Sequence, residues 1–266
     1  MPDLPSAGLP AGAKMGGMSD VVAGVVLAAG RGSRLRPLTL VLAKALCPIN
    51  HVPLVDLALE RVRSAVDDVA VNVHHERDQM LHHLGDSVEV SVEREPLGTA
   101  GALGQLRPWL DGRSALVVNA DAWCPGSLSA FVAEWDGERV RLLLAGDTEL
   151  SPSSGVAAAL MPASVLGGLT AEPSGLYEVV WRQAQTEGRL EVVCHDGPFV
   201  DCGSPAQYLA ANLAASGGAN VIGAGAKVDG TVVRSVIWPG VKVRRAETLH
   251  DAIKPTDQMT VLVRRG

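Results

Sequence analysis

The sequence predicts an α/β fold built on a doubly wound, mostly parallel sheet, and three observations predict it. Apolar runs of strand length alternate along the chain with segments of helical period. Hydrophobic residues make up 47% of the 266 positions and aromatic residues only 3%, so Val, Leu and Ala must fill the interior, as suits buried strands covered by helices. The first apolar run also delivers into a glycine-rich turn, and ligands of such sheets sit at the carboxyl ends of the strands.

The elements follow in order. Residues 1–20 are rich in Pro, Gly and Ala without periodicity and are expected to be disordered, with Met18 a candidate start. Val21 to Ala28 is the central buried strand. Val55, Leu59 and Val62 mark a helix within 52–66. "DDVAVNVHH" is a second strand, "RDQMLHHL" a helix, and "VEVSVE" a third strand whose alternation suits an edge. Thr99 to Leu110 should be helical, "SALVVNAD" a fourth buried strand and "SLSAFVAEW" a helix. Strands near "VRLLLAG" and "GVAAALM", helices near "PASVLGGL" and "LYEVVWRQA" and a strand "LEVVCH" come next. The last helix starts with Ser204 as cap and Pro205 at its first position. From Ala219 onward, β-branched pieces recur at five- or six-residue steps, which fits either coils of parallel β-helix or a β-meander, with Val221, Val228, Val232, Ile237 and Val241 as inward candidates.

Composition narrows the function. The net charge of −6 argues against broad nucleic-acid binding and leaves room for a local basic pocket such as Arg31, Arg34 and Arg36. Four scattered cysteines without C-x-x-C spacing read as reduced thiols. No apolar run has the length of a membrane span or a signal peptide, so a cytoplasmic location is expected.

The turn "VVLAAGRGSRLRPLT" is the first chemical clue. It lacks the Lys-Ser/Thr of a P-loop, and it lacks the third glycine of a dinucleotide fingerprint while meeting Pro37 early. Backbone N–H groups at Ala29, Gly30, Gly32 and Ser33, with arginines close by, can cradle a triphosphate; a turn with solvated arginines is the plain alternative. "LAAGRGSRLRPLT", "AKALCPI", "EPLGTAGAL", "VVNAD" and "FVDCGSPAQYLAAN" together resemble the sugar-nucleotide nucleotidyltransferases, over about residues 22 to 212. "SVIWPGVKV" resembles the β-helical tail of the mannose-1-phosphate guanylyltransferase branch.

The resemblance implies a fold of the nucleotide-diphospho-sugar transferase type over residues 21–216, with a short left-handed β-helix-like segment over 217–266. It implies transfer of a nucleotidyl group from a nucleoside triphosphate to a sugar-1-phosphate. Arg34 then holds the leaving phosphates and Lys44 the α-phosphate. Leu27, Ala28, Ala29, Gly30, Gly32, Ser33, Glu95, Pro96, Gly98 and Thr99 bind the nucleotide, and Asn119 and Gly155 the acceptor. Asp121 and Asp201 bind Mg²⁺, an ion that takes one or two carboxylates plus substrate oxygens. A carboxylate at Glu95 would favour guanine, and a homo-oligomer is expected by analogy only.

Taken singly, Asp121 reads equally as a turn or cap residue and Asp201 as a solvated acid. The pairs His74, His75 and His82, His83 invite a zinc reading, but adjacent side chains on a helix diverge by about 100°. The chain departs from the family where a Glu-Lys hairpin element is usual: "AGDTELSPSS" stands there, and no lysine occurs between Lys44 and Lys227. Arg182 is a candidate substitute. Uridylyl or cytidylyl transfer to another phosphorylated acceptor, and a noncatalytic nucleotide-binding subunit, are the rival readings.

Overall fold

The computed structural model describes residues 22–264, so the expected disordered tail over 1–20 lies outside the described residues. One seven-stranded sheet organises the molecule. Its strands are β1 (Val22–Leu27), β2 (Val69–Val73), β3 (Glu89–Val92), β4 (Ser114–Asn119), β5 (Val140–Ala145), β6 (Val156–Met161) and β7 (Leu190–His195). They lie in the order β7-β5-β6-β4-β1-β2-β3. β6 runs antiparallel to both β4 and β5, and all other neighbours are parallel. β1 is buried throughout, as a strand with helices on both faces must be, whereas β3 at the edge has exposed ends, Glu89 and Val92, and a half-buried middle.

The helices are α1 (Leu54–Arg63), α2 (Arg77–Leu84), α3 (Gly98–Leu110), α4 (Ser129–Ala133), α5 (Ala163–Leu166), α6 (Arg182–Thr186) and α7 (Pro205–Ala215), with a wider π turn over Tyr177–Trp181 leading into α6. On α1 the apolar residues Val55, Leu59 and Val62 all face the core. This helix lies so close to β1 that a Cβ at Gly24 would stand 2.3 Å from Val62 Cγ1. α1, α2 and α4 pack with one face of the sheet, and α3, α5 and α6 with the other. α7 begins as its sequence indicates, with Ser204 Oγ accepting from Gln207 N and Pro205 at the first turn.

Beyond α7, short strands pair in parallel: Val221–Ile222 with Val236–Ile237, the latter with Ala252–Thr256, Lys227–Val228 with Lys242–Val243, and Thr231–Val233 with Thr248–His250. Met259–Leu262 closes antiparallel on Ala252–Thr256. Val221, Ile237 and Val241 are buried as expected, but Val228 is 40% exposed and Val232 half-buried. The interior is instead completed by Val236, Val243 and Leu249. Runs of two or three residues fix which side chain faces inward by register, and a single-position step reverses it.

This segment does not stand apart. Val236, Ile237 and Trp238 share one apolar cluster with Leu35, Leu38, Ile49, Leu54 and Tyr208. Trp238 Nε1 donates to Tyr208 Oη at 3.0 Å, and Tyr208 Oη donates to Pro48 O at 2.5 Å. The turn that follows β1 is thereby held from behind by the last third of the chain.

Candidate active site

The cleft opens where β1 has β2 on one side and β4 on the other, the point at which the chain reverses its direction of travel across the sheet. A cavity of about 250 Å³ lies there at the carboxyl ends of these strands. Leu27 to Arg31 form one wall, Asn119 to Asp121 a second, and Pro96, Gly98 and Thr99 a third.

Local geometry explains why the turn after β1 is rich in glycine. Gly32 has φ +62, and a Cβ there would lie 2.8 Å from Thr39 Cγ2 and 2.9 Å from Lys44 Cβ. Thr39 Oγ1 donates to Gly32 O at 3.0 Å and closes the turn. Gly32 is therefore the close-packed joint that brings the stem of Lys44 against the loop. Lys44 reaches the cleft from a short 3₁₀ turn, Lys44–Leu46, with its side chain only 8% exposed. Its Nζ donates to Asp121 Oδ2 at 2.7 Å. A buried ammonium needs such a partner, because desolvation without one is costly.

Asp121 and Asp201, far apart in sequence, are brought together by a two-residue antiparallel ladder in which Asp201 pairs with Ala122 and Val200 with Trp123. Cys202 N donates to Asp121 O at 2.9 Å and completes the link. Arg34 stands at the rim with Nη2 3.9 Å from Asp201 Oδ2. Gly203 adjoins them, since a Cβ there would lie 3.1 Å from both Asp201 carboxylate oxygens and from Arg34 Nη2. Lys44 and Asp121 thus line one end of the cleft, and Arg34 and Asp201 adjoin it outside the lining. Among the described residues no group of three or more His, Cys, Asp and Glu side chains is placed to hold a metal ion.

A family model for nucleotidyl transferases matches residues 23–154. An N-acetylmuramate alpha-1-phosphate uridylyltransferase of Caulobacter vibrioides is 31% identical over 227 residues, which cover 70% of this chain and 94% of that protein. The chain belongs to the nucleotidyl transferase family. A mannose-1-phosphate guanyltransferase of Candida albicans is 37% identical over 111 residues, covering 38% of this chain and 31% of that enzyme. In fold, this nucleotidyl transferase is similar to a Bacillus anthracis protein assigned as a glucose-1-phosphate thymidylyltransferase, with TM-score 0.63 and 20% identity over 73% of this chain and 95% of that one. It is also similar to HddC of Yersinia pseudotuberculosis, with TM-score 0.59 and 17% identity over 71% of this chain and 97% of that one.

Not every residue singled out in the sequence of this nucleotidyl transferase reaches the cleft. Leu27, Ala28, Ala29, Gly30, Lys44, Pro96, Gly98, Thr99, Asn119 and Asp121 line it. Gly32 and Ser33 lie outside the lining, the former packed on Lys44 and the latter exposed at the start of a 3₁₀ turn. Glu95 is exposed and lies outside the lining; Glu93, which is 2% exposed, takes the place expected of it. Gly155 faces the ring of Phe199, 2.7 Å from where its Cβ would be, rather than the cleft. Arg182 is exposed on α6 and away from the lining. His83 Nε2 pairs with Asp56 Oδ1 at 2.8 Å, and His74 Nδ1 lies 3.1 Å from Glu93 O.

Sequence reading passed over Asn72 and Glu93. Asn72 Oδ1 accepts from Ala28 N at 2.7 Å, and its Nδ2 donates to Glu93 Oε1 at 2.6 Å. Glu93 Oε2 accepts from Leu97 N at 3.0 Å. This chain of bonds ties the ends of β1 and β2 to the loop before α3 and fixes the width of the cleft. The Ala28 amide is consequently engaged within the protein. The available signal was a lone Asn inside an apolar strand, "VAVNV", which a buried strand tolerates only when its amide is bonded.

Proposed function

We propose that the chain transfers a nucleotidyl group from a nucleoside triphosphate to a sugar-1-phosphate, and that a pyrimidine triphosphate, UTP, is the donor. The observation that carries the transfer is the buried Lys44–Asp121 pair in the cleft, with Asp201 brought beside it by the strand ladder. An acceptor phosphate oxygen attacks the α-phosphorus, a new P–O bond forms, and the bond to the β-phosphate oxygen breaks to release pyrophosphate. The nucleophile is already ionised, so the protein has to neutralise and align anions rather than remove a proton. Lys44 faces the α-phosphate, Arg31 lines the triphosphate side, and Arg34 draws on the leaving phosphates from the rim.

Asp121 and Asp201 suit Mg²⁺, which takes one or two carboxylates and completes its shell with phosphate oxygens and water. That ion supplies neutralisation of the triphosphate charge when bound. Segment 21–216 would carry the chemistry, and segment 217–266, read as a β-helical coil, would brace the turn after β1.

The choice of base rests on two supports. Glu95 does not line the cleft, and each oxygen of Glu93 already holds a protein donor, Asn72 Nδ2 or Leu97 N, so the carboxylate that would favour guanine is not left open as the sequence suggested. The Caulobacter relative, named a uridylyltransferase, aligns with this chain over most of its own length.

Pyrophosphate release measured across UTP, GTP, CTP and dTTP, each with a panel of sugar-1-phosphates, tests both claims. Turnover with UTP that falls by about 10²–10³ in Lys44→Met, as loss of a charge-stabilising donor does, and disappears in Asp121→Asn supports the reading. Preference for GTP overturns the base assignment alone. Nucleotide binding without turnover for any pair returns the chain to a noncatalytic role.

A further inference from the structure

We propose that a second cavity, behind the strand that follows Asp121, is a binding site for a phosphate group, either the free ion or a phosphate carried by a small organic molecule. The cavity measures about 300 Å³ and lies between α1 and residues 122–127, with Leu57, Glu60, Arg61, Ser64, Trp123 and Ser127 in its lining. It shares no lining residue with the cleft.

Arg61 is the reason to assign it a ligand. The residue is 8% exposed, its Nη1 donates to Ala157 O at 3.2 Å, and its Nε is screened from solvent with no hydrogen-bond partner. Among the described residues it forms no ion pair. Burial draws the guanidinium below its ordinary pKa, yet a guanidinium remains charged across the physiological range. A buried cation lacking a counter-charge is costly, and the cost falls when an anion fills the cavity beside it. A water molecule in the cavity cannot supply the missing charge.

Glu60 does not serve as that counter-ion. It lines the same cavity but is exposed and forms no ion pair with Arg61 among the described residues. Cys124, the thiol nearest in charge to Arg61, has its pKa raised by burial and stays neutral. Phosphate suits the remaining chemistry, because Arg61 carries the one positive charge in the lining and guanidinium N–H groups match phosphate oxygens, while the Ser127 hydroxyl at the mouth is already bonded to Ser64 Oγ. The apolar walls, Leu57 and Trp123, leave room for a small organic moiety. Trp123 pairs with Val200 in the same ladder that places Asp201 beside Ala122, so an occupant here touches the support of the two aspartates.

The test follows Trp123 emission while the full chain is titrated with inorganic phosphate or with glycerol 3-phosphate, the Trp123→Phe variant supplying the background. The expected result is a saturable change that weakens by more than about tenfold in Arg61→Gln and in Ser127→Glu, and that survives in Lys44→Met. Ser127 is exposed, so its variant probes the site even where Arg61→Gln folds poorly. Tighter binding of the organic ester identifies that source, and equal or tighter binding of the free ion identifies the other. A response kept in both cavity variants, a response abolished by Lys44→Met, or no saturable response with either probe overturns the proposal.

Discussion

At the scale of single residues, Glu93 and Glu95 stand only two positions apart, yet their surroundings are opposite. Glu93 is buried and accepts from Asn72 Nδ2 and Leu97 N; Glu95 is exposed. Replacing Glu93 by Ala leaves two buried donors without an acceptor, each costing about 1–3 kcal/mol. We expect Glu93→Ala to lower the denaturation midpoint and raise the KM for the nucleoside triphosphate, while Glu95→Ala leaves both within error. Unfolding curves and steady-state kinetics on the two variants check this. The motif "EPLGTAGAL" supplies Pro96, Gly98 and Thr99 to the wall of the cleft, while its carboxylate, Glu95, lies outside the lining. A motif records order along the chain, whereas burial here comes from contacts between segments: Asn72 on β2 and the amide of Leu97 enclose Glu93, while Glu95 stays exposed.

The element that shows most clearly how packing shapes the site is α3. A Cβ at Gly98, Gly101 or Gly104 would stand 2.5 Å from Ser174 O, 2.3 Å from Glu172 O and 2.1 Å from Thr170 O respectively. These three positions follow a helical period, so one glycine face lets the backbone of 170–174 lie directly on the helix. Ala100 N donates to Ser174 O at 3.0 Å, and Leu176 N donates to Thr99 Oγ1 at 2.8 Å. The segment therefore anchors the helix start at which Gly98 and Thr99 line the cleft. Gly104→Ala places a methyl against a backbone carbonyl that has nowhere to move, and overpacking of this kind costs about 1–3 kcal/mol. A shift of that size toward lower denaturant at unchanged m-value is the expected outcome. The apolar residues of "LDGRSALVVN" and of the helix start signalled their elements in sequence; the glycines read there only as weak helix formers, because their partner lies some 70 residues away along the chain.

Across the whole molecule, one apolar cluster joins the turn after β1, α7 and the short strands of the final segment. Two thiols lie in that seam. Burial raises both Cys47 and Cys202 from 9.0 to about 12, and burial likewise raises the Tyr208 phenol. A group whose folded pKa lies above its unfolded value contributes stability that is whole below the unfolded pKa and is lost as pH rises through the folded one. Stability should accordingly hold to about pH 9 and decline between 9 and 12, as the unfolded chain releases thiol protons that the folded chain retains. Denaturant titrations from pH 8 to 11 check this, and Cys47→Ala should flatten the decline even as it lowers the neutral-pH value by leaving a small cavity.

The sequence by itself determined the alternation of elements, the cap of α7 and the glycine turn after β1, and it pointed to Lys44, Asp121 and Asp201 as candidate site residues. Each depends on local period or on an ordered motif, and both survive in one dimension. Only the tertiary structure decided that the two aspartates meet across a two-residue ladder, that Asn72 and Glu93 set the width of the cleft, and that Arg61 is buried without a counter-charge. Those outcomes depend on contacts between segments tens of residues apart, where burial and pairing are settled by packing rather than by neighbours in the chain.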